Sequence, residues 1–385
     1  MEALPLLYHP ATALFVDSNG SFLRSLALHL DQRKRAYVLC THPMDALAIL
    51  RARDAAETSV NRLWVNRTRR FGGGGARVLA GAKQQNMEQE LHRTIRFGNI
   101  FAVVVEHEMP ALSGLQLCKR VENPFVQKIL LTSCADEELL QKALRQGLAH
   151  AVVFKHDPCV LQRLTEALRR AQERYFALVS AAYALASGLE LEETAFLTDR
   201  ALRDFFAQLC QRLDIVGHHP LRGFVAKGSD KSKRFEGTTS LSVPTSSVDL
   251  DVAGGGDFVL LDREGIPYGL CVRTKEQVDI IAESRQWAEA GEQVREDIRK
   301  RRAMLCLPQT SRHFPHDAAW QSCVRPAQVV RGRDETYYCA CAKGLFGLPQ
   351  EHMAGFTSYP DKLVFHDHVP QITGFDGWSD VGQWR

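Results

Sequence analysis

The sequence predicts an α/β chain: a doubly wound, five-stranded parallel sheet, a long connecting helix, then an α+β domain. Three observations carry this. Short, unbroken apolar runs alternate with helical stretches over residues 11–172. An apolar seam at 3-4 spacing runs from Leu161 to Leu185. Beyond residue 216 the apolar runs fall into a hairpin pattern. A length of 385 residues accommodates two or three domains at about 150 residues each.

The runs at residues 13–16, 36–40, 101–105, 128–132 and 151–154 predict five strands. None alternates polar with apolar residues, so each expects burial on both faces, as in a parallel sheet covered by helices. Residues 22–30, 45–50, 137–146 and 161–173 predict helices between and after them. A sheet of this kind takes its ligands beyond the carboxyl ends of the strands.

Roughly residues 51–97 are extra material between the second helix and the third strand. They carry 10 basic and 4 acidic side chains, and Gly72 to Gly75 lie between Arg69-Arg70 and Arg77. The expectation is a solvated, flexible insertion with a helix at 88–95. Elsewhere charge is balanced: the chain is +3 overall, and residues 216–385 hold 21 basic and 22 acidic groups. That balance argues against a nucleic-acid partner for the C-terminal half.

Ten cysteines are scattered with no C-x-x-C pair, and the N-terminus shows no signal-peptide pattern. Both point to free thiols in a reducing cytoplasm. The longest uncharged helical run, residues 175–189, falls short of the ~20 residues a membrane span needs, so no insertion is expected.

Residues 158–215 predict an extended helical connector. Leu161, Leu164, Leu168, Ala171, Tyr175, Leu178, Ala182 and Leu185 repeat with a period of 3.5. Such a seam serves either a homodimer or a helix packed on its own chain. A further amphipathic helix covers 197–213.

In the α+β region, 216–385, residues 217–248 read as a loop that includes His218 and His219. A hairpin follows at 257–274 with its turn at 262–267. Then come helix at 277–302 and strands at 304–307 and 337–342. From residue 344 the chain reads as irregular. Arg299 to Arg302 end a helix, where cations suit the dipole. Cys339 and Cys341, with His366 and His368, form a candidate zinc set, but neither the C-x-C nor the H-x-H spacing is that of usual fingers. Buried structural cysteine is the alternative. Gly255-Gly256-Asp257-Phe258 is similar to the hairpin of diguanylate cyclases but lacks its glutamate; a hairpin needing glycine accounts for it.

The residues at the strand ends carry the chemistry. The first strand ends in Val16-Asp17-Ser18. The third ends in Val105-Glu106-His107-Glu108-Met109-Pro110, followed by Ser113-Gly114-Leu115. The fourth ends in Leu131-Thr132-Ser133, with Ala135-Asp136-Glu137 next, and the fifth ends in Phe154-Lys155. In this order the fragments resemble the receiver domain of two-component response regulators, over residues 11–172 apart from the insertion. The resemblance implies phosphoryl transfer to a carboxylate. Mg²⁺ would sit at an acidic pair, a lysine would pair with the phosphoryl oxygens, and a Thr or Ser hydroxyl would rearrange to report the event.

Departures from that pattern change the expected chemistry. Glu106 stands at the phosphoacceptor position and is one methylene longer than aspartate. Ser18 replaces the second acid and is a poor ligand for a hard cation, so Mg²⁺ at Asp17 and Glu106 would be weak. Val152 stands where a switching aromatic is frequent, and His156 where proline is usual. The expectation is therefore a pseudo-receiver needing no cofactor, in which Glu106 pairs with Lys155 inside a polar cluster of Asp17, Ser18, Thr132 and Lys155; residual phosphorylation, and a satisfied polar cluster that only closes the sheet, are the alternatives.

The insertion, the long helix and an output half without a helix-turn-helix are also similar to Legionella-type quorum-sensing response regulators. That likeness implies a dimerising regulator relaying a cell-density signal, with a sensor kinase or another signalling protein as partner. Two other classes stay open. One is a receiver-regulated enzyme with a nucleotide- or metal-dependent C-terminal domain. The other is a DNA-binding regulator using the basic loop at 69–77.

Overall fold

The computed structural model describes residues 4–30, 36–56, 99–133, 136–187, 194–220, 256–264, 266–283, 292–305, 324–343 and 363–366. They fall into two compact units. One comprises the described residues of Ala11–Asn61, Ile95–Tyr175 and Pro360–Arg385, the other those of Met1–Pro10 and Phe176–Tyr359.

The first unit is the doubly wound sheet. Its elements run β1 (Thr12–Val16), α1 (Gly20–Ala27), β2 (Ala36–Cys40), α2 (Pro43–Ala56), β3 (Ile100–Val105), α3 (Gly114–Arg120), β4 (Gln127–Thr132), α4 (Glu137–Arg145) and β5 (Ala151–Phe154). The strands are ordered β2-β1-β3-β4-β5 and all pair in parallel. β1, β2 and β3 are buried at every position, as their unbroken apolar sequences require. Helix starts are marked by side-chain caps. Asn19 accepts from Phe22 N, Asp136 accepts from Leu139 N, and Ser113 forms a reciprocal capping box with Gln116.

Two expectations are corrected here. Helix α2 continues to Ala56, so it takes the first residues assigned to the insertion. The glycines at 72–75 and the helix expected at 88–95 lie outside the described residues. The sheet also gains a sixth strand from the region read as irregular. β13 (Leu363–His366) pairs in parallel with the outer edge of β2, Leu363 opposite Tyr37 and His366 opposite Cys40. Four residues flanked by Gly, Pro and His carry too little pattern to show as a strand; the free edge of β2 supplies the partner.

Helix α5 (Val160–Ser187) is continuous over 28 residues, as its 3-4 repeat predicts. Its apolar seam is used within the chain. Leu164, Leu168 and Tyr175 are each 1% exposed. These three side chains are already buried within a single chain. Leu161 remains 39% exposed and Leu178 is half-buried. The Leu185 side chain lies outside the described residues.

The second unit is built on an antiparallel sheet in the order β11-β12-β8-β7-β6. Its strands are β6 (Ile215–Pro220), β7 (Gly256–Asp262), β8 (Pro267–Thr274), β11 (Gln328–Arg331) and β12 (Thr336–Lys343). The β7–β8 hairpin and β12 fall where the sequence predicts them. The helix expected at 197–213 is interrupted: a 3₁₀ turn at Ala195–Thr198 is followed by α6 (Arg200–Arg212), with Asp199 capping the backbone N–H groups of Ala201 and Leu202. The helical stretch after β8 contains α7 (Lys275–Glu283) and α8 (Glu292–Arg299). β9 (Ala303–Leu305) pairs with β10 (Val324–Pro326).

Alternation sorts the sheet residues onto two cores. Phe258, Leu260, Leu270, Val272, Tyr337 and Cys339 pack with Phe206 and Leu209 of α6. Cys271, Tyr338 and Ala340 pack on the other face with Val278 of α7 and Met304. His218 and His219 are a further correction, being buried strand residues rather than loop residues. The His218 ring stacks on Tyr8 and meets Phe206 edge-on, and its Nε2 lies 2.8 Å from the Pro5 carbonyl. Burial pushes this imidazole down to about 4, so it sits in the core as a neutral aromatic ring. Packing overrides the weak strand propensity of His-His-Pro. Among the described residues no helix is long and apolar enough to cross a membrane.

Candidate functional site

The order β2-β1-β3-β4-β5 reverses direction between β1 and β3, and a crevice opens at such a point beyond the strand carboxyl ends. The register places Val16 level with both Cys40 and Val105. Asp17 N then donates to Cys40 O at 3.1 Å, and Glu106 N to Val16 O at 2.9 Å. The two acids therefore leave neighbouring strands side by side. Thr132 and Phe154 close β4 and β5 in register, and Lys155 N donates to Thr132 O at 2.9 Å.

The four side chains converge. Lys155 Nζ is 2.5 Å from Asp17 Oδ2 and 2.5 Å from Glu106 Oε2. The Thr132 hydroxyl donates to Glu106 Oε1 at 2.6 Å, and the same oxygen accepts from the backbone N–H groups of His107 at 2.6 Å and Glu108 at 3.2 Å. Asp17 Oδ1 accepts from Asn19 N at 2.9 Å. The Phe22 ring supplies a wall, its centroid 4.5 Å from the Lys155 ammonium, a cation–π contact. Every carboxylate oxygen thus has a donor, and one cation serves two anions.

Burial by itself would raise the Glu106 carboxyl. The Lys155 and Thr132 hydrogen bonds and the lysine charge outweigh it and hold the group below the usual carboxylate range. Burial likewise opposes the charge on Lys155, but Asp17 and Glu106 together raise it. Glu106 and Lys155 are therefore both charged throughout the neutral range.

The backbone after Glu106 is shaped to fit. Gly114 packs so closely on this turn that a Cβ there would lie 2.3 Å from the Glu106 carbonyl oxygen. Ala111, in the same loop, adopts φ 66°, a left-handed conformation unusual for a residue with a Cβ.

Of the residues expected at the site, Asp17, Glu106, Thr132 and Lys155 lie together. Ser18 is exposed and contributes to none of the contacts described above. Asn19 and Phe22 join the site without having been expected there; a helix-capping Asn two positions after the acid is the signal the sequence offers. The donor set does not fit Mg²⁺. Asp17 Oδ2 and Glu106 Oε2 are committed to the ammonium, whereas a hard divalent cation needs about six oxygens. Nor do three metal-ligating side chains gather anywhere among the described residues. Cys339 and Cys341 share one face of β12, as the zinc reading required, but the Cys339 thiol is pushed up to about 12 by burial, which disfavours the thiolate a metal needs. The His366 and His368 side chains lie outside the described residues.

The chain shares its fold with a Legionella response regulator. The solved structure of the Legionella pneumophila response regulator LqsR superposes with a TM-score of 0.65 at 24% identity, covering 90% of this chain and 92% of that one. Single receiver domains align over smaller parts. One from an HD domain-containing protein of Pseudomonas fluorescens Pf-5 matches at 21% identity over 43% of this chain and 97% of its own, with a TM-score of 0.29. A receiver domain protein from Clostridium thermocellum matches at 18% identity over 44% and 98%, also with a TM-score of 0.29. No protein-family model matches the sequence, and no curated protein matches it.

Proposed function

We propose that the chain is an atypical response regulator whose receiver-like site is held by internal ion pairs instead of being switched by phosphorylation. The observation that carries this is the bridging ammonium of Lys155, 2.5 Å from both Asp17 and Glu106. A phosphoryl donor would meet a carboxylate whose two oxygens are already bonded. A cation would meet an acidic pair that already shares one ammonium. Glu106, longer than aspartate by a methylene, reaches both Thr132 and Lys155 without any added group. The output unit would then act through protein contacts. In the sequence resemblance, the input to such a regulator is cell density, relayed by a signalling partner.

The test is intact mass after incubation with acetyl phosphate and Mg²⁺, for the native protein and for Glu106→Asp. The native protein is expected to gain nothing. A native protein that gains one phosphoryl mass overturns the proposal, whatever the variant does.

A further inference from the structure

The C-terminal strand β13 is the one element of the parallel sheet that does not follow from the β-α-β succession. Among the described residues the strand before it in sequence, β12, belongs to the antiparallel sheet of the other unit. No hairpin turn therefore ties β13 to its neighbour. Its parallel partner β2 lies more than 300 residues earlier in the sequence, and 19 residues separate the end of β12 from Leu363. The contact with β2 is four residues long.

What β13 covers is a strong edge. β2 reads Ala-Tyr-Val-Leu-Cys, with no charge, proline or bulge. Its side chains are buried on both faces, Leu39 and Cys40 completely. Native sheets blunt exposed edges with charge, proline, bulges or a covering element, because unpaired N–H and C=O groups template pairing with another chain. β2 has none of the first three, and β13 is the cover. A bare β2 edge is also self-complementary: two identical edges related by a twofold axis can pair antiparallel into one continuous sheet.

We propose that Leu363–His366 is an autoinhibitory edge cap, and that its release turns the outer edge of β2 into the interface through which two copies of this chain pair. While attached, the cap wins over a second copy because tethering gives it an effective concentration near the millimolar range. Pairing then follows displacement of the tail rather than concentration alone. This interface is independent of the α5 seam, whose central residues are buried in the monomer, and it does not depend on the phosphate-free reading of Glu106.

The experiment uses the full chain with Val364→Pro and, separately, Phe365→Pro. One of these adjacent residues directs its N–H toward β2, and proline removes that donor. Sedimentation mass and amide hydrogen exchange over residues 36–40 are compared with the native protein. The expected result, in at least one variant, is at least a tenfold faster exchange in 36–40 at low protein concentration. At tens of micromolar the mass should double relative to native, and a peptide of residues 361–368 at millimolar concentration should reverse the doubling. Faster exchange without a mass change would show a cap but no self-pairing interface and overturn the proposal. Unchanged exchange in both variants would show that β13 does not guard the edge and overturn it as well. A doubled mass that the peptide leaves unchanged would place the new contact elsewhere and likewise overturn the proposal.

Discussion

The Lys155 ammonium stands midway between Asp17 and Glu106, 2.5 Å from an oxygen of each, with the three side chains 15%, 5% and 7% exposed. A single cation so placed cannot be removed cheaply, because two carboxylates would then face each other in a largely dry crevice. Lys155→Met is expected to cost about 3–5 kcal/mol of unfolding free energy. Chemical denaturation checks this. Adding Glu106→Leu to Lys155→Met is expected to recover part of the loss, since it removes one of the stranded charges. A double variant less stable than the single would contradict the ion-pair account.

The same pairing sets the pH window. Glu106 lies below its ordinary carboxyl value in the folded chain, so its contribution is complete above about pH 4.3 and is lost as pH falls through the folded value. Lys155 is raised, so its contribution is complete below about pH 10.4 and is lost as pH rises through the folded value. Stability from these two groups is therefore expected to be flat between roughly pH 5 and 10. Thermal unfolding of native protein and Glu106→Gln, followed across pH, should converge on the acid side. A gap that stays constant down to pH 2 would mean Glu106 is not depressed.

Gly114 meets the Glu106 carbonyl too closely for any side chain, since an added Cβ would approach it to 2.3 Å. Backbone, not a flexible side chain, is what such a Cβ strikes. Gly114→Ala is expected to destabilise by about 1–3 kcal/mol through forced displacement of this turn. The amide signals of Glu106 and Thr132 should move with it. A variant as stable as native would show that the loop relaxes freely.

In the second unit, Arg273 and Asp257 form an ion pair 2.6 Å long with side chains only 4% and 2% exposed. Arg273→Ala is expected to cost about 3–5 kcal/mol because it leaves a carboxylate buried without its cation. Replacing both partners by apolar residues should cost less than the single change. Equilibrium unfolding of the two variants decides it.

Leu161 and Leu164 lie in one apolar repeat but have different surroundings, being 39% and 1% exposed. Leu164→Glu is expected to lower stability by several kcal/mol, as a charge placed in a packed site does. Leu161→Glu should leave folding nearly unchanged, which makes it the usable probe of any α5-mediated dimer. If native sedimentation gives a dimer and Leu161→Glu gives a monomer of equal thermal stability, α5 is an interface after all.

The parallel sheet was legible because its strands are buried on both faces, so their apolar runs are unbroken and their ends are abrupt. Asp17, Glu106, Thr132 and Lys155 each directly follow or close such a run, and it is the resemblance to receiver domains at these strand ends that singled them out. Other features are decided by contacts remote in sequence. Whether the α5 seam faces a partner or its own chain cannot be read from a 3-4 repeat, because both uses need the same spacing. His218 becomes a core residue only because Tyr8, Phe206, Phe258 and the Pro5 carbonyl surround its ring. Leu363–His366 is a strand only because β2 presents an open edge to it. Local pattern specifies where an element begins and which faces it must bury. The partner that buries them is a property of the assembled chain, since four apolar residues gain stability only from the surface they meet.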